Sequence, residues 1–182
     1  NVFSQTNSTN CIYKVWDDQP APNRGKDYSL IQSRGYPADP DWEAYSYPIG
    51  NGYMGANIFG RTDMERIQIT DKTLTNGAPY GSGGMTNFAE VFLEFDHYTV
   101  NNYKRSLNLN EGISYVSYEH KGVRYTREYF ASYPNNVIAI KLSASEKAKI
   151  SCTVSAVVPY LRSDNAYNHS KSSITKLAKY AT

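Results

Sequence analysis

Two carboxylates beside a glycine-rich stretch are the most direct candidates for chemistry in this 182-residue chain. Two carboxyl groups about 6.5 to 9.5 Å apart can cleave a glycosidic bond with inversion, one as the acid and the other by activating water. Glu43, Asp63, Glu65 and Asp71 cluster around this stretch, and of these Glu65 and Asp71 are the candidates for such a pair. However, Glu65 precedes Arg66 and Asp71 precedes Lys72, so balance of surface charge explains both more simply. We therefore predict no catalytic residue in this chain.

Other chemistries find less support in the sequence. It contains no nucleophile elbow and no phosphate-binding loop. The three histidines are scattered, and neither Cys11 nor Cys152 has a partner at metal-ligand spacing, so we expect no metal and no cofactor. A net charge of +2 provides no field that would concentrate nucleic acid. No run of 18 apolar residues exists, so no membrane span is predicted.

Glycines frame the segment that contains these carboxylates. Residues 47–84 hold eight of the 12 glycines, which indicates that backbone shape matters more here than side-chain bulk. Ile67 and Ile69 alternate with polar residues, which predicts a half-buried strand with a loop at each end. Asn51 has a glycine on both sides and could present its amide to a sugar hydroxyl. The alternative is that Asn51 only adopts a positive-φ turn.

The rest of the chain is typical of an antiparallel β-sandwich. Apolar and polar residues alternate over about nine short segments, and no convincing helix exceeds two turns. The first strand is predicted at residues 12–16 and the last at 150–157. The predicted turns lie at residues 101–102, 110–112, 121–122 and 134–136.

Composition predicts how the chain is divided. A polar leader of a mature chain occupies residues 1–11, a sandwich region with a loop excursion at 17–41 occupies 12–160, and a weakly structured tail occupies 161–182. The polar start and the 17 tyrosines favour a periplasmic or secreted protein.

Cys152 shares a predicted strand face with Ile150 and Val154, which indicates a buried thiol. A disulfide with Cys11 is the alternative to two free thiols.

Several motifs carry a family resemblance. The runs P-I-G-N-G-Y-M-G-A-N-I-F-G, E-R-I-Q-I and T-L-x-x-G occur in this order, followed by Y-x-R-x-L-x-L and Y-T-R-E-Y-F-A-S-Y-P. Together, over residues 13–160, they resemble the amino-terminal domain of glycoside hydrolase family 95, the inverting α-L-fucosidases and related α-L-galactosidases. The resemblance implies a β-sandwich of the super-sandwich type, incomplete at its C-terminal end. It also implies that the acid and base lie in a later (α/α)6 barrel, which this chain is too short to contain.

The same resemblance implies partners and binding residues. The partners would be α-linked glycans and the barrel of the same polypeptide. Trp42 would face the substrate cleft, although an aromatic beside a loop is more often a lid on the core. Thr73 and Thr75 would belong to a substrate-binding loop, where Thr75 replaces the family's tryptophan and makes a sugar such as L-galactose plausible. The function predicted is a non-catalytic support region of a glycan-degrading hydrolase, and the alternative is a stand-alone carbohydrate-binding module.

Overall fold

The computed structural model describes residues 13–22, 42–73 and 89–157. Within these ranges the chain forms ten strands and one four-residue helix. In chain order they are β1 (Lys14–Asp17), α1 (Trp42–Tyr45), β2 (Tyr47–Gly50), β3 (Met54–Ile58), β4 (Met64–Asp71), β5 (Ala89–Glu94), β6 (Asn101–Asn108), β7 (Ile113–His120), β8 (Val123–Ser132), β9 (Val137–Ala144) and β10 (Thr153–Val157).

The strands form two five-stranded sheets in which every pairing is antiparallel. The first sheet has the order β1-β6-β7-β8-β9, and the second has the order β10-β5-β4-β3-β2. The predicted all-β, antiparallel sandwich is therefore confirmed. The leader at 1–11, most of the excursion at 17–41 and the tail at 161–182 lie outside the described residues.

The hydrophobic core lies between the inner faces of the two sheets. Because side chains alternate along a strand, the inner strands contribute every second residue to it. The second sheet contributes aliphatic residues such as Ile58, Ile67 and Leu93, and the first contributes larger rings such as Tyr118 and Tyr129. Burial of one such side chain stabilises the fold by about 1.5–3 kcal/mol.

The strand predicted to be half-buried, β4, is buried on both faces. Arg66 and Gln68 point away from Ile67, yet they are only 2% and 7% exposed. Arg66 forms an ion pair of 2.7 Å with the buried Glu90 of neighbouring β5. The alternation in the sequence identified the inner face correctly. It could not reveal that the charged face is also covered, because the charges are satisfied by partners on another strand.

Three predicted turns are confirmed, and the fourth is wrong. Residues 109–112, 121–122 and 133–136 connect successive strands of the first sheet. The turn expected at residues 101–102 is instead the start of β6, where Asn102 has φ 52° beside an irregular register. β5 and β6 belong to different sheets, so the chain crosses between the sheets rather than forming a hairpin.

The face predicted around Cys152 is only partly buried. Ile150 and Val154 are 39% and 48% exposed, because β10 lies at the edge of its sheet. Cys152 packs against the core and carries a free thiol. Cys11 lies outside the described residues.

Candidate functional site

One end of the sandwich brings together several of the predicted binding residues, beginning with the turn between β2 and β3. The Asn51 side-chain oxygen accepts hydrogen bonds from the backbone N–H groups of Tyr53 (2.9 Å) and Met54 (2.8 Å). Its amide nitrogen donates to the carbonyl of Ser132 in the first sheet (2.9 Å). Gly52, not Asn51, takes the positive φ of 88°, so the alternative proposed for Asn51 is wrong. Asn51 closes the turn and fastens it to the opposite sheet.

Two exposed tyrosines lie beside this turn. Tyr53 and Tyr133 are 43% and 67% exposed, and their ring centroids are 6.2 Å apart. The Lys72 ammonium lies 3.3 Å from the centroid of the Tyr53 ring, and the Lys72 backbone N–H donates to the Tyr53 carbonyl. We call the group Asn51, Tyr53, Lys72, Thr73 and Tyr133 the Tyr53–Tyr133 surface. It exposes two tyrosine rings and the Lys72 ammonium, while the Asn51 amide is engaged within the protein. Aromatic rings beside polar groups are the combination that binds neutral sugars.

Thr73 lies at this surface, but its hydroxyl is already engaged. The hydroxyl and the backbone N–H of Thr73 both donate to one carboxylate oxygen of Asp71, at 2.6 and 2.8 Å. These two donors lower the pKa of the exposed Asp71 carboxyl. Thr75 lies outside the described residues.

Trp42 is not part of this surface. It begins helix α1, before β2, whereas Asn51 follows β2, so the two residues lie towards opposite ends of that strand. Trp42 is 40% exposed, and both of its predicted positions, at the substrate cleft or as a lid on the core, stay predictions. The helix is held through its last residue, because the buried Arg105 guanidinium donates to the Tyr45 carbonyl.

Glu65 lies inside the sandwich rather than on its surface, which corrects the explanation by surface charge balance. Its side chain is fully buried and accepts five hydrogen bonds. One oxygen accepts from the backbone N–H groups of Phe59 (3.2 Å), Gly60 (2.9 Å) and Arg66 (3.1 Å). The other accepts from the Arg127 guanidinium (3.2 Å) and the Tyr129 hydroxyl (3.1 Å).

Burial and these partners act in opposite directions on the carboxyl of Glu65. Burial raises its pKa, while the Arg127 guanidinium, the Gly60 N–H and the Tyr129 hydroxyl favour the charged form. All five neighbours donate, so a protonated carboxyl would have to give up one of them. The carboxylate is therefore a fixed acceptor in the core rather than a group that exchanges protons with a substrate.

Arg127 extends this cluster towards His97. Its guanidinium donates to the carbonyls of Arg61 (2.7 Å) and Thr62 (3.1 Å) and to the Tyr118 hydroxyl (2.7 Å). Since Tyr118 accepts from Arg127, its own proton is directed to Nδ1 of His97, 2.8 Å away. Nδ1 is thus an acceptor, which requires neutral His97. Burial, reinforced by the charges of His120 and Arg127, accordingly lowers the pKa of His97 to about 4.

The spacing along β4 separates the two candidate carboxylates. Glu65 and Asp71 are six residues apart on one strand, which corresponds to about 20 Å at about 3.3 Å per residue. This exceeds the separation that an inverting acid and base require. Among the residues that the structure describes, no three His, Cys, Asp or Glu side chains form a group able to hold a metal ion.

The motif residues converge on the turn between β3 and β4, which the sequence analysis missed. Gly60 takes φ +75°, its N–H donates to Glu65 and its carbonyl accepts from the Tyr103 hydroxyl (2.5 Å). Arg105 donates to the Phe59 carbonyl (2.8 Å). The signal was present in the sequence, because Tyr103 and Arg105 occupy every second position in line with the apolar Leu107, and these positions face inward. These motif residues form buried hydrogen bonds that stabilise the fold, whereas the Tyr53–Tyr133 surface is exposed to solvent.

The two packed sheets, with their core of aliphatic residues, tyrosines and paired charges, define an all-β sandwich domain. A sequence profile of the family described as "Glycosyl hydrolase family 65, N-terminal domain" matches residues 15–86 and 76–177. Since the match extends over most of the chain, the chain belongs to this family. The prediction of a glycoside hydrolase N-terminal domain is confirmed, while the specific assignment to family 95 stays a prediction.

A similar curated protein is Alpha-L-fucosidase 2 of Arabidopsis thaliana. It is 30% identical over 148 residues, an alignment that covers 59% of this chain and 18% of the plant protein. The chain therefore matches only a small part of that relative's length. In the described part of the chain, no helix is long and apolar enough to cross a membrane.

Proposed function

We propose that the chain is the non-catalytic amino-terminal sandwich of a glycan-degrading hydrolase of the α-L-fucosidase type. In this proposal it supports an (α/α)6 catalytic barrel outside the chain and contributes the Tyr53–Tyr133 surface to the substrate cleft. The family match and the similarity to the plant fucosidase support the enzyme class. The observation that supports a non-catalytic role is the burial of Glu65, whose carboxylate accepts five hydrogen bonds inside the sandwich and is out of reach of a substrate.

The contribution to the cleft is tested with the complete gene product. Tyr53→Ala and Tyr133→Ala each remove an exposed ring that could lie against a sugar. We expect each to lower kcat/KM on an α-L-fucoside about tenfold, the scale of one lost aromatic contact. Tyr98→Ala is the matched control, because Tyr98 is 75% exposed and follows β5 at the other end of the sandwich. If all three variants keep the parent's kcat/KM, this surface contributes nothing to the cleft.

The substrate and the stereochemistry belong to the same proposal. The resemblance to family 95 supports an inverting enzyme, and Thr75 in place of tryptophan supports L-galactose as an alternative to L-fucose. The complete protein should be assayed on α-L-fucosides and α-L-galactosides, with proton NMR of the first sugar released. A β-anomer released first would support inversion. An α-anomer released first would contradict it.

A stand-alone carbohydrate-binding module is the second candidate function, and the exposed rings of Tyr53 and Tyr133 favour it. A module would bind a glycan by itself, whereas a support domain would not. Titration of the 182-residue chain with fucosylated oligosaccharides, followed by tyrosine and tryptophan fluorescence, distinguishes the two. A saturable change that Tyr133→Ala removes would favour the module.

We propose further that the protein acts in the periplasm or outside the cell. The support is the tyrosine-rich composition of the chain, with 17 tyrosines among its 182 residues. Fractionation of the native host, followed by detection with an antibody to the chain, tests this. Recovery in the cytoplasmic fraction would contradict it.

A further inference from the structure

The outer face of the first sheet carries a row of side chains that crosses all five strands. Trp16 is opposite Ser106, Ser106 is opposite Tyr115, Tyr115 is opposite Glu128, and Glu128 is opposite Lys141. Because neighbouring strands lie about 4.8 Å apart, the backbones of Trp16 and Tyr115 are about 10 Å apart, with Ser106 between them. Ser106 is only 3% exposed, whereas Trp16 is 47% exposed. The side chains around Ser106 thus cover it, and Trp16 forms part of the accessible surface on this face.

A lysine lies against each of these rings. The Lys104 ammonium is 4.8 Å from the centroid of the Trp16 ring, and the Lys14 ammonium is 5.9 Å from that of Tyr115. Within the described residues, neither ammonium forms an ion pair with a carboxylate. At the other end of the row, Lys141 is paired with Glu128 at 2.8 Å. Two ammonium groups outside any ion pair therefore lie beside the two aromatic side chains, with one carboxylate close by, since Glu111 accepts a hydrogen bond from the Tyr115 hydroxyl at 3.1 Å.

We propose that this face, formed by Lys14, Trp16, Lys104 and Tyr115, binds an anionic glycan whose sugars carry carboxylate or sulfate groups. Sugar rings lie against the two aromatic side chains, and the anionic substituents contact the two ammonium groups. The backbones of Trp16 and Tyr115 are about 10 Å apart, so the two rings can contact different sugar units of one chain. A neutral glycan would leave both ammonium groups without a counterion, so charge complementarity selects the anionic class.

The site adds a glycan-binding face to the proposed function and does not depend on which bond the complete enzyme cleaves. It lies on the outer face of the first sheet. The Tyr53–Tyr133 surface, in contrast, is built from turns at one end of the sandwich. Changes at Lys14 and Lys104 are therefore expected to leave hydrolysis of a small neutral fucoside unchanged.

The test is affinity gel electrophoresis of the complete gene product in gels containing polygalacturonate, dextran sulfate or neutral dextran. We expect retardation by at least one polyanion and none by dextran. The double variant Lys14→Gln/Lys104→Gln should weaken the apparent affinity about fivefold, the scale of two exposed ion pairs. Retardation by polygalacturonate alone would identify carboxylate as the recognised group, and retardation by dextran sulfate alone would identify sulfate.

The matched control removes two exposed charges away from this face. Lys121 lies in the turn between β7 and β8, and Lys149 pairs with Glu146 before β10, so Lys121→Gln/Lys149→Gln should change the affinity less than twofold. Trp16→Ala should weaken binding with the charge unchanged. If Trp16→Ala fails to fold, the comparison of the two lysine pairs decides alone.

Two results would overturn the proposal. One is the absence of retardation by either polyanion. The other is an equal loss of affinity in both lysine double variants, because that would show general attraction to positive charge. The proposed function is tested separately. If the complete protein binds polyanions through Lys14 and Lys104 but hydrolyses no α-L-fucoside or α-L-galactoside, the glycan-binding proposal stands and the proposed function is wrong.

Discussion

Replacement of Glu65 by Gln should destabilise the sandwich more than any surface carboxylate replacement. The carboxylate receives three backbone N–H groups on one oxygen, and Arg127 and Tyr129 on the other. In the Glu65→Gln variant, one of the two oxygens is replaced by an NH2 group. Whichever oxygen is replaced, the new group is a donor and would face the donors that the carboxylate oxygen had accepted from. The buried Arg127 charge would also lose its counterion. Removal of one partner from a buried ion pair costs about 3–5 kcal/mol, a large part of the about 5–15 kcal/mol that stabilises a domain.

The assay is urea unfolding of the 182-residue chain, followed by far-UV circular dichroism. With a slope of about 2 kcal/mol per M, a loss of about 4 kcal/mol lowers the midpoint by about 2 M. The matched control is Glu119→Gln, because Glu119 pairs with Arg124 where the two side chains are 30% and 67% exposed. That change should cost less than about 1 kcal/mol. If the two substitutions lower the free energy of unfolding equally, the buried cluster is not what holds the sheets together.

Two further predictions concern the same region. Gly60→Ala should lower the free energy of unfolding by about 2–4 kcal/mol, since φ is +75° and the new Cβ would lie 2.7 Å from the Tyr103 hydroxyl. Gly112→Ala at φ +67° has no atom within 4 Å, so in the same urea assay it should cost about 1 kcal/mol. Stability should fall as the pH drops from about 6.5 towards 4, because unfolded His97 binds a proton that folded His97 does not. His97→Gln should flatten this part of the profile of stability against pH, and an unchanged slope would assign it to other groups.

The fold could be predicted from the sequence because its signals are local. Alternating apolar residues identified strands such as β7 and β8, and glycine or asparagine identified their turns. Lys121 and Gly122 both take positive φ, which a two-residue hairpin turn requires. The turn predicted at residues 101–102 was wrong, because an asparagine with positive φ occurs in a bulge as well as in a turn.

The site could be predicted only in part, because its contacts are long-range. Asn51 was identified from its flanking glycines, but nothing local shows that its amide reaches Ser132 on the other sheet. Glu65 was interpreted beside its sequence neighbour Arg66, whereas its ion-pair partner is Arg127, 62 residues away. Burial changes the role of a carboxylate completely, and burial is decided by which strands pack over it.

The most direct test of the account compares the complete gene product with the 182-residue chain on a chromogenic α-L-fucoside and the matching α-L-galactoside. We expect the complete protein to release sugar from at least one of them. The 182-residue chain alone should release none above the rate of the uncatalysed reaction, even though its circular dichroism shows a folded β protein. Turnover by the folded chain at a rate near that of the complete protein would place the acid and base within these residues and contradict the account.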